Sequence, residues 1–135
     1  MNIEQITPKL VVEGADAAIR YYGEVFGAVL RRRDEADGRV VFARLGLPCG
    51  AVFELKDADE FDHDPLRLGG RGLLLTVVAG DPDALARRMV ESGGEIVFEV
   101  ADRPYGARQG RVRDPFGHEW IVGTPIPAAA GPANA

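Results

Sequence analysis

Only two histidines and one cysteine occur in this chain, so few residues offer imidazole or thiol chemistry. His118 closes the turn Asp114-Pro115-Phe116-Gly117-His118, where an imidazole caps or packs against its own loop, and His63 stands in an acidic stretch where it is expected to be solvated. Cys49 follows Leu47-Pro48 and reads as a small buried residue beside a turn rather than a nucleophile. No Ser-His-Asp or Cys-His pairing can be assembled. Glu54 and Glu119 are different, because each falls within an apolar strand pattern. A carboxylate on a concave face costs free energy unless it is paired, hydrated or used. With its pKa raised by burial, either carboxylate could serve as a general base. Lys9 could meet an anionic group or pair with one of these carboxylates. Phe42 and Tyr105 are the aromatic residues left for stacking on a ligand, and Arg108 could donate to a ligand carbonyl or carboxylate.

The elements that position these residues come in two copies. Adding 67 to Val11, Asp16, Ala17, Arg20, Gly27 and Arg44 gives Val78, Asp83, Ala84, Arg87, Gly94 and Arg111, each of the same type. In the first copy, Ile3 to Val12 reads as a strand, Ala15 to Phe26 as a helix with Ile19, Tyr22 and Phe26 on one stripe, and Gly27 as its stop. Val29 to Asp34 and Arg39 to Leu45 flank the hairpin signal Ala36-Asp37-Gly38, and Ala51 to Leu55 follows as a last strand. The second copy repeats the order: strand Gly72 to Val78, helix Pro82 to Ser92, then strands Glu95 to Val100, Gly110 to Arg113 and His118 to Gly123. Alternation points Thr7, Lys9 and Val11 one way and Phe53 and Trp120 the other, beneath the helices. Residues 57–69 read as a polar exposed linker, and residues 128–135 as a mobile tail with too little apolar area to pack. The fold class is therefore α+β: two tandem βαβββ modules, about 3–56 and 70–124, within a single domain 1–127. Their curved mixed sheets are expected to enclose a cleft.

This duplication, with Tyr21-Tyr22-Gly23-Glu24-Val25-Phe26-Gly27 closing the first helix and Asp114-Pro115-Phe116-Gly117-His118-Glu119-Trp120 opening the last strand, resembles the vicinal oxygen chelate superfamily. The branch it is most similar to holds the glyoxalases and bleomycin-resistance proteins. That resemblance implies a homodimer and, in members that do chemistry, a metal held by His, Glu or Gln from the first and last strand of each module. Carried onto this chain, those positions are Thr7, Glu54, Leu74 and Ile121. Leu and Ile have no lone pair to offer a divalent cation, and Glu119, two residues before Ile121, leaves two positions still unfilled. No metal and no other cofactor is therefore expected, and no catalytic residue is assigned. The reading is a binding protein of the bleomycin-resistance type that sequesters an antibiotic or related natural product. The alternative is a metal-dependent glyoxalase- or dioxygenase-like enzyme of the same superfamily.

Sixteen Lys and Arg against 21 Asp and Glu give a net charge of −5, which disfavours nucleic acid and suggests a neutral or cationic, planar, aromatic partner. No apolar run approaches the roughly 20 residues needed to span a bilayer, and residues 1–12 lack a signal-peptide pattern, so a cytoplasmic location with no membrane partner is expected.

Overall fold

A computed structural model describes residues 2–127; the expected tail 128–135 lies outside the described residues. The elements run β1 (Lys9–Val12), α1 (Ala15–Phe26), β2 (Val29–Ala36), β3 (Arg39–Gly46), β4 (Val52–Asp57), α2 (Pro65–Leu68), β5 (Leu74–Val78), α3 (Pro82–Glu91), β6 (Glu95–Asp102), β7 (Arg108–Arg113) and β8 (Glu119–Gly123). They form two four-stranded mixed sheets, ordered β1-β4-β3-β2 and β5-β8-β7-β6. In each sheet the first strand lies parallel to the last, and the other pairings are antiparallel. The repeated strand-helix-three-strand order is the one the 67-residue offset predicts. The described residues divide into two compact units, residues 2–72 with 116–118, and residues 73–115 with 119–127. No helix among the described residues is long and apolar enough to cross a membrane.

In the first unit, alternation sends Leu10, Val12, Ala43, Leu45, Phe53 and Leu55 to the side covered by α1. The helix answers with Ala15, Ala18, Tyr22 and Val25, buried at helical spacing. Tyr22 is fully buried, stacked on Phe26 and edge-on to Phe53. The Asp57 carboxylate from the end of β4 accepts from Ala15 N at 2.7 Å and Val40 N at 2.8 Å, so the last strand caps the helix. Asp37 and Gly38 both take positive φ, 53° and 76°, the requirement of a two-residue hairpin turn of the I′ type. His118 is buried and its Nε2 donates to the Val11 carbonyl at 2.8 Å, so the ring fastens its turn to β1.

In the second unit, Val112, Trp120 and Val122 are buried on the side of α3, with Ala86 and Met89. Trp120 Nε1 donates to Asp114 Oδ2 at 2.8 Å, which explains the pairing of Asp and Trp across the turn motif. Helix α3 is capped from its own chain start, Asp81 accepting from Ala84 N at 3.0 Å.

Three expectations are corrected. Strand β1 begins at Lys9 rather than Ile3, since Pro8 has no N–H to place in a ladder, and Thr7 is left outside the strand. The segment 57–69 is not all exposed linker: it contains α2, with the buried Asp64 as its N-cap and Pro65 as its first residue. Cys49 is exposed, because its turn faces solvent.

Candidate functional site

The helices cover one face of each sheet, so the ligand-facing candidates must be sought on the other. On the first sheet that open face carries Lys9, Phe42, Arg44 and Glu54, brought together by register: Lys9 and Arg44 both lie across from Glu54, on opposite sides of β4. The Phe42 ring gathers three cations, with Lys9 Nζ 5.0 Å, Arg44 Cζ 5.3 Å and Arg32 Cζ 5.8 Å from its centroid. Arg44 Nη2 donates to Glu54 Oε2 at 3.1 Å, and Arg32 pairs with Asp34 at 2.9 Å.

On the second sheet the open face forms a hollow of about 300 Å³ lined by Phe98, Arg103, Tyr105, Gln109, Gly110, Arg111 and Ile121. Its rim is held in place by hydrogen bonds. Tyr105 donates its hydroxyl to Gln109 Oε1 at 2.6 Å, and Arg103 donates to the carbonyls of Gln109 at 3.0 Å and Glu99 at 2.6 Å. Arg111 sits across from Phe98 on one side and Ile121 on the other, its Cζ 5.4 Å from the Phe98 centroid. Beside the hollow, buried Glu119 accepts from Arg113 Nη2 at 3.2 Å and lies 3.7 Å from Arg111 Nη1. Hydrogen bonds to Glu95 and to Glu119 raise the Arg113 pKa above its ordinary range, so it stays charged. Gly110 permits the arrangement: a Cβ there would stand 2.7 Å from Val100 N and 2.8 Å from the Phe98 carbonyl oxygen.

The structure thus brings Lys9, Phe42 and Glu54 together on one sheet, and Tyr105 and Ile121 together on the other. Leu74 and Glu119, paired in register, share the face of Ile121. Two expected site residues fall elsewhere. Thr7 precedes β1 and is hydrogen-bonded by Gln5. Arg108 has the parity opposite to Gln109 and Arg111, and its Nε and Nη2 each donate to Asp83 of α3 at 2.8 Å, on the helix side of the sheet. Sequence reasoning missed Arg32, Arg44, Phe98, Arg103, Gln109 and Arg111. Arg44 and Arg111 could have been found, since they are repeat partners and lie at even spacing from Phe42 and Gln109. Another hollow, of about 380 Å³, lies between α3 and β6, but its Asp83 is already engaged by Arg108.

A metal of the kind found in catalytic relatives does not fit these residues. Register places Lys9 across from Glu54 and Thr76 across from Ile121, while Leu74 faces Glu119. Whichever first-strand residue is chosen, the donors are a Lys, a Thr or a Leu, and the only carboxylate at the four positions, Glu54, is bound to Arg44. Among the described residues, no three His, Cys, Asp or Glu side chains cluster in a way that could hold an ion.

These two βαβββ units, each with an open sheet face, define the class: the chain belongs to the Glyoxalase/Bleomycin resistance protein/Dioxygenase superfamily, whose model matches residues 2–122. A protein of Mycobacterium bovis, itself uncharacterised, is 33% identical over 132 residues, covering 93% of this chain and 87% of the relative. Among solved structures, TioX from Micromonospora sp. ML1 is 27% identical, with a TM-score of 0.69 over 90% of this chain and 98% of its own. A glyoxalase family protein from Bacillus cereus shares the fold at a TM-score of 0.76 and 21% identity, covering 94% and 97% of the two chains.

Proposed function

We propose that this chain is a metal-free small-molecule-binding protein of the bleomycin-resistance kind, which sequesters a planar organic compound of the antibiotic or natural-product class and releases it unchanged. The observation that carries this reading is Ile121. It occupies in the second sheet the place that Glu54 occupies in the first, and with Leu74 it replaces metal donors by apolar surface. The hollow it lines joins that apolar floor to the rings of Phe98 and Tyr105 and to a few fixed polar groups, the mixture that small-molecule sites use. Glu54 and Glu119 are both engaged by arginines, which argues against either as a free general base.

The preference for a cation, drawn from the net charge of −5, gives way to local charge. Lys9, Arg32 and Arg44 on one open face, and Arg103, Arg111 and Arg113 on the other, outnumber Asp34, Glu54, Glu95 and Glu119. A neutral or anionic compound suits these faces better. The same reading includes a cytoplasmic homodimer, supported by the apolar area left open at Val29, Leu74 and Phe98.

Screening planar antibiotics by thermal shift, with elemental analysis of the purified protein, tests the proposal. The expected result is a stabilising compound and no stoichiometric metal. Tightly bound Zn, Ni, Mn or Fe whose removal abolishes turnover of any compound would overturn it.

A further inference from the structure

The two halves of the chain carry the same arginine in different states of completion. Arg44 and Arg111 are 67 residues apart, each on the middle strand next to the last one, and each has its guanidinium beside an aromatic ring, Phe42 at 5.3 Å and Phe98 at 5.4 Å. In the first sheet the residue across from Arg44 is Glu54, whose carboxylate accepts from Nη2 at 3.1 Å. In the second the residue across from Arg111 is Ile121, which accepts nothing. Arg111 keeps one long contact, Nη1 to Glu119 at 3.7 Å, and Glu119 is closer to Arg113. The buried Arg111 Nε has no hydrogen-bond partner. A buried donor left in this state is costly, and it is a donor that a ligand can satisfy.

We propose that the hollow on the second sheet binds an aromatic carboxylate: the carboxylate takes the Nε edge of Arg111, in the role Glu54 plays for Arg44, while the ring lies against Ile121, Phe98 and Tyr105. The guanidinium fork matches a carboxylate with two parallel hydrogen bonds. Tyr105 and Arg103 are already committed to Gln109 and the β6 backbone, so they shape the wall and leave Arg111 as the anion-binding group. The inference depends on the binding reading above only in that an organic ligand seats on this face.

The test is calorimetric titration of the whole chain with three probes sharing one ring system: 2-naphthoate, 2-naphthalenemethanol and 2-naphthylmethylammonium. The expected result is that naphthoate binds about tenfold or more tightly than the alcohol, the ordinary worth of one charge-assisted hydrogen bond, and that the ammonium binds weakest. Arg111→Gln should remove the preference for naphthoate over the alcohol. Ile121→Glu, which restores the internal carboxylate, should abolish naphthoate binding in a protein whose circular dichroism is that of the wild type; if that variant does not fold, Arg111→Gln decides alone. Equal affinity for naphthoate and the alcohol, or a preference that survives Arg111→Gln, overturns the carboxylate assignment while leaving the binding reading intact. No binding of naphthoate at millimolar concentration also overturns it. Naphthoate bound with the expected preference but chemically altered on recovery would instead sink the claim that the protein performs no chemistry.

Discussion

Asp57→Ala should be far more damaging than an ordinary cap deletion, because one carboxylate ties two elements together. Its Oδ1 accepts from Ala15 N at 2.7 Å, in the first turn of α1, and its Oδ2 accepts from Val40 N at 2.8 Å, in β3. Loss of the helix cap costs about 1 kcal/mol, within a range of roughly 0.5–2. Leaving the part-buried Val40 N–H without a partner adds about 1–3 kcal/mol, so the sum is about 2–4 kcal/mol, a large share of a typical stability of roughly 5–15. The second module supplies the control. Asp81 caps α3 through a single exposed bond to Ala84 N, so Asp81→Ala should cost only about 1 kcal/mol. Urea denaturation followed by circular dichroism measures both. With a slope of about 1.5 kcal/mol per M, the midpoint of the Asp57 variant should fall by about 1–3 M, well beyond that of the Asp81 variant. A loss no larger than that of Asp81→Ala would refute the idea that the last strand of the first module holds its helix.

Three further outcomes are expected. The Lys56 ammonium, with the backbone N–H groups of Asp62 and Phe61, holds the Asp59 carboxyl down to about 2. A depressed folded-state pKa contributes stability above the unfolded value near 4 and loses it as pH falls toward 2, so Asp59→Asn should flatten the acid limb of stability between about pH 4 and 2; an unchanged slope would contradict this. Gly110→Ala should lower Tm and weaken ligand binding together, since its Cβ would push the β6 backbone away from the hollow, at a cost of about 1–3 kcal/mol; a wild-type Tm would show the approach to be looser than it is here. Sedimentation velocity at micromolar concentration should show a dimer, and a monomer would remove the homodimer from the reading.

Periodicity and repetition made the fold legible. The stripe of α1, the Asp37-Gly38 turn and the matched helix stops all lie in local patterns that the 67-residue offset doubles. Pro8 spoiled the first strand, because alternating residue types before it suggest a strand whose ladder its missing N–H cannot complete. Helix α2 had its signal in Asp64-Pro65, a cap followed by a first-turn proline, masked by the surrounding acidic residues. Parity correctly put Phe53 and Trp120 beneath the helices and Ile121 on the open face. It failed for Arg108, which was read with the loop rather than with the strand, and so was separated from its true partner Asp83. The charge of the open faces was not legible at all, since the net charge sums the acidic 57–64 stretch with surfaces that turn out to be rich in arginine.

Native mass spectrometry of the purified chain with a stabilising planar compound tests the central claim most directly. The account predicts a complex of protein and compound alone, with no metal mass, from which the compound is recovered at its original mass after hours of incubation. A complex that contains a chelatable metal ion, and from which a compound of altered mass is released, would contradict it.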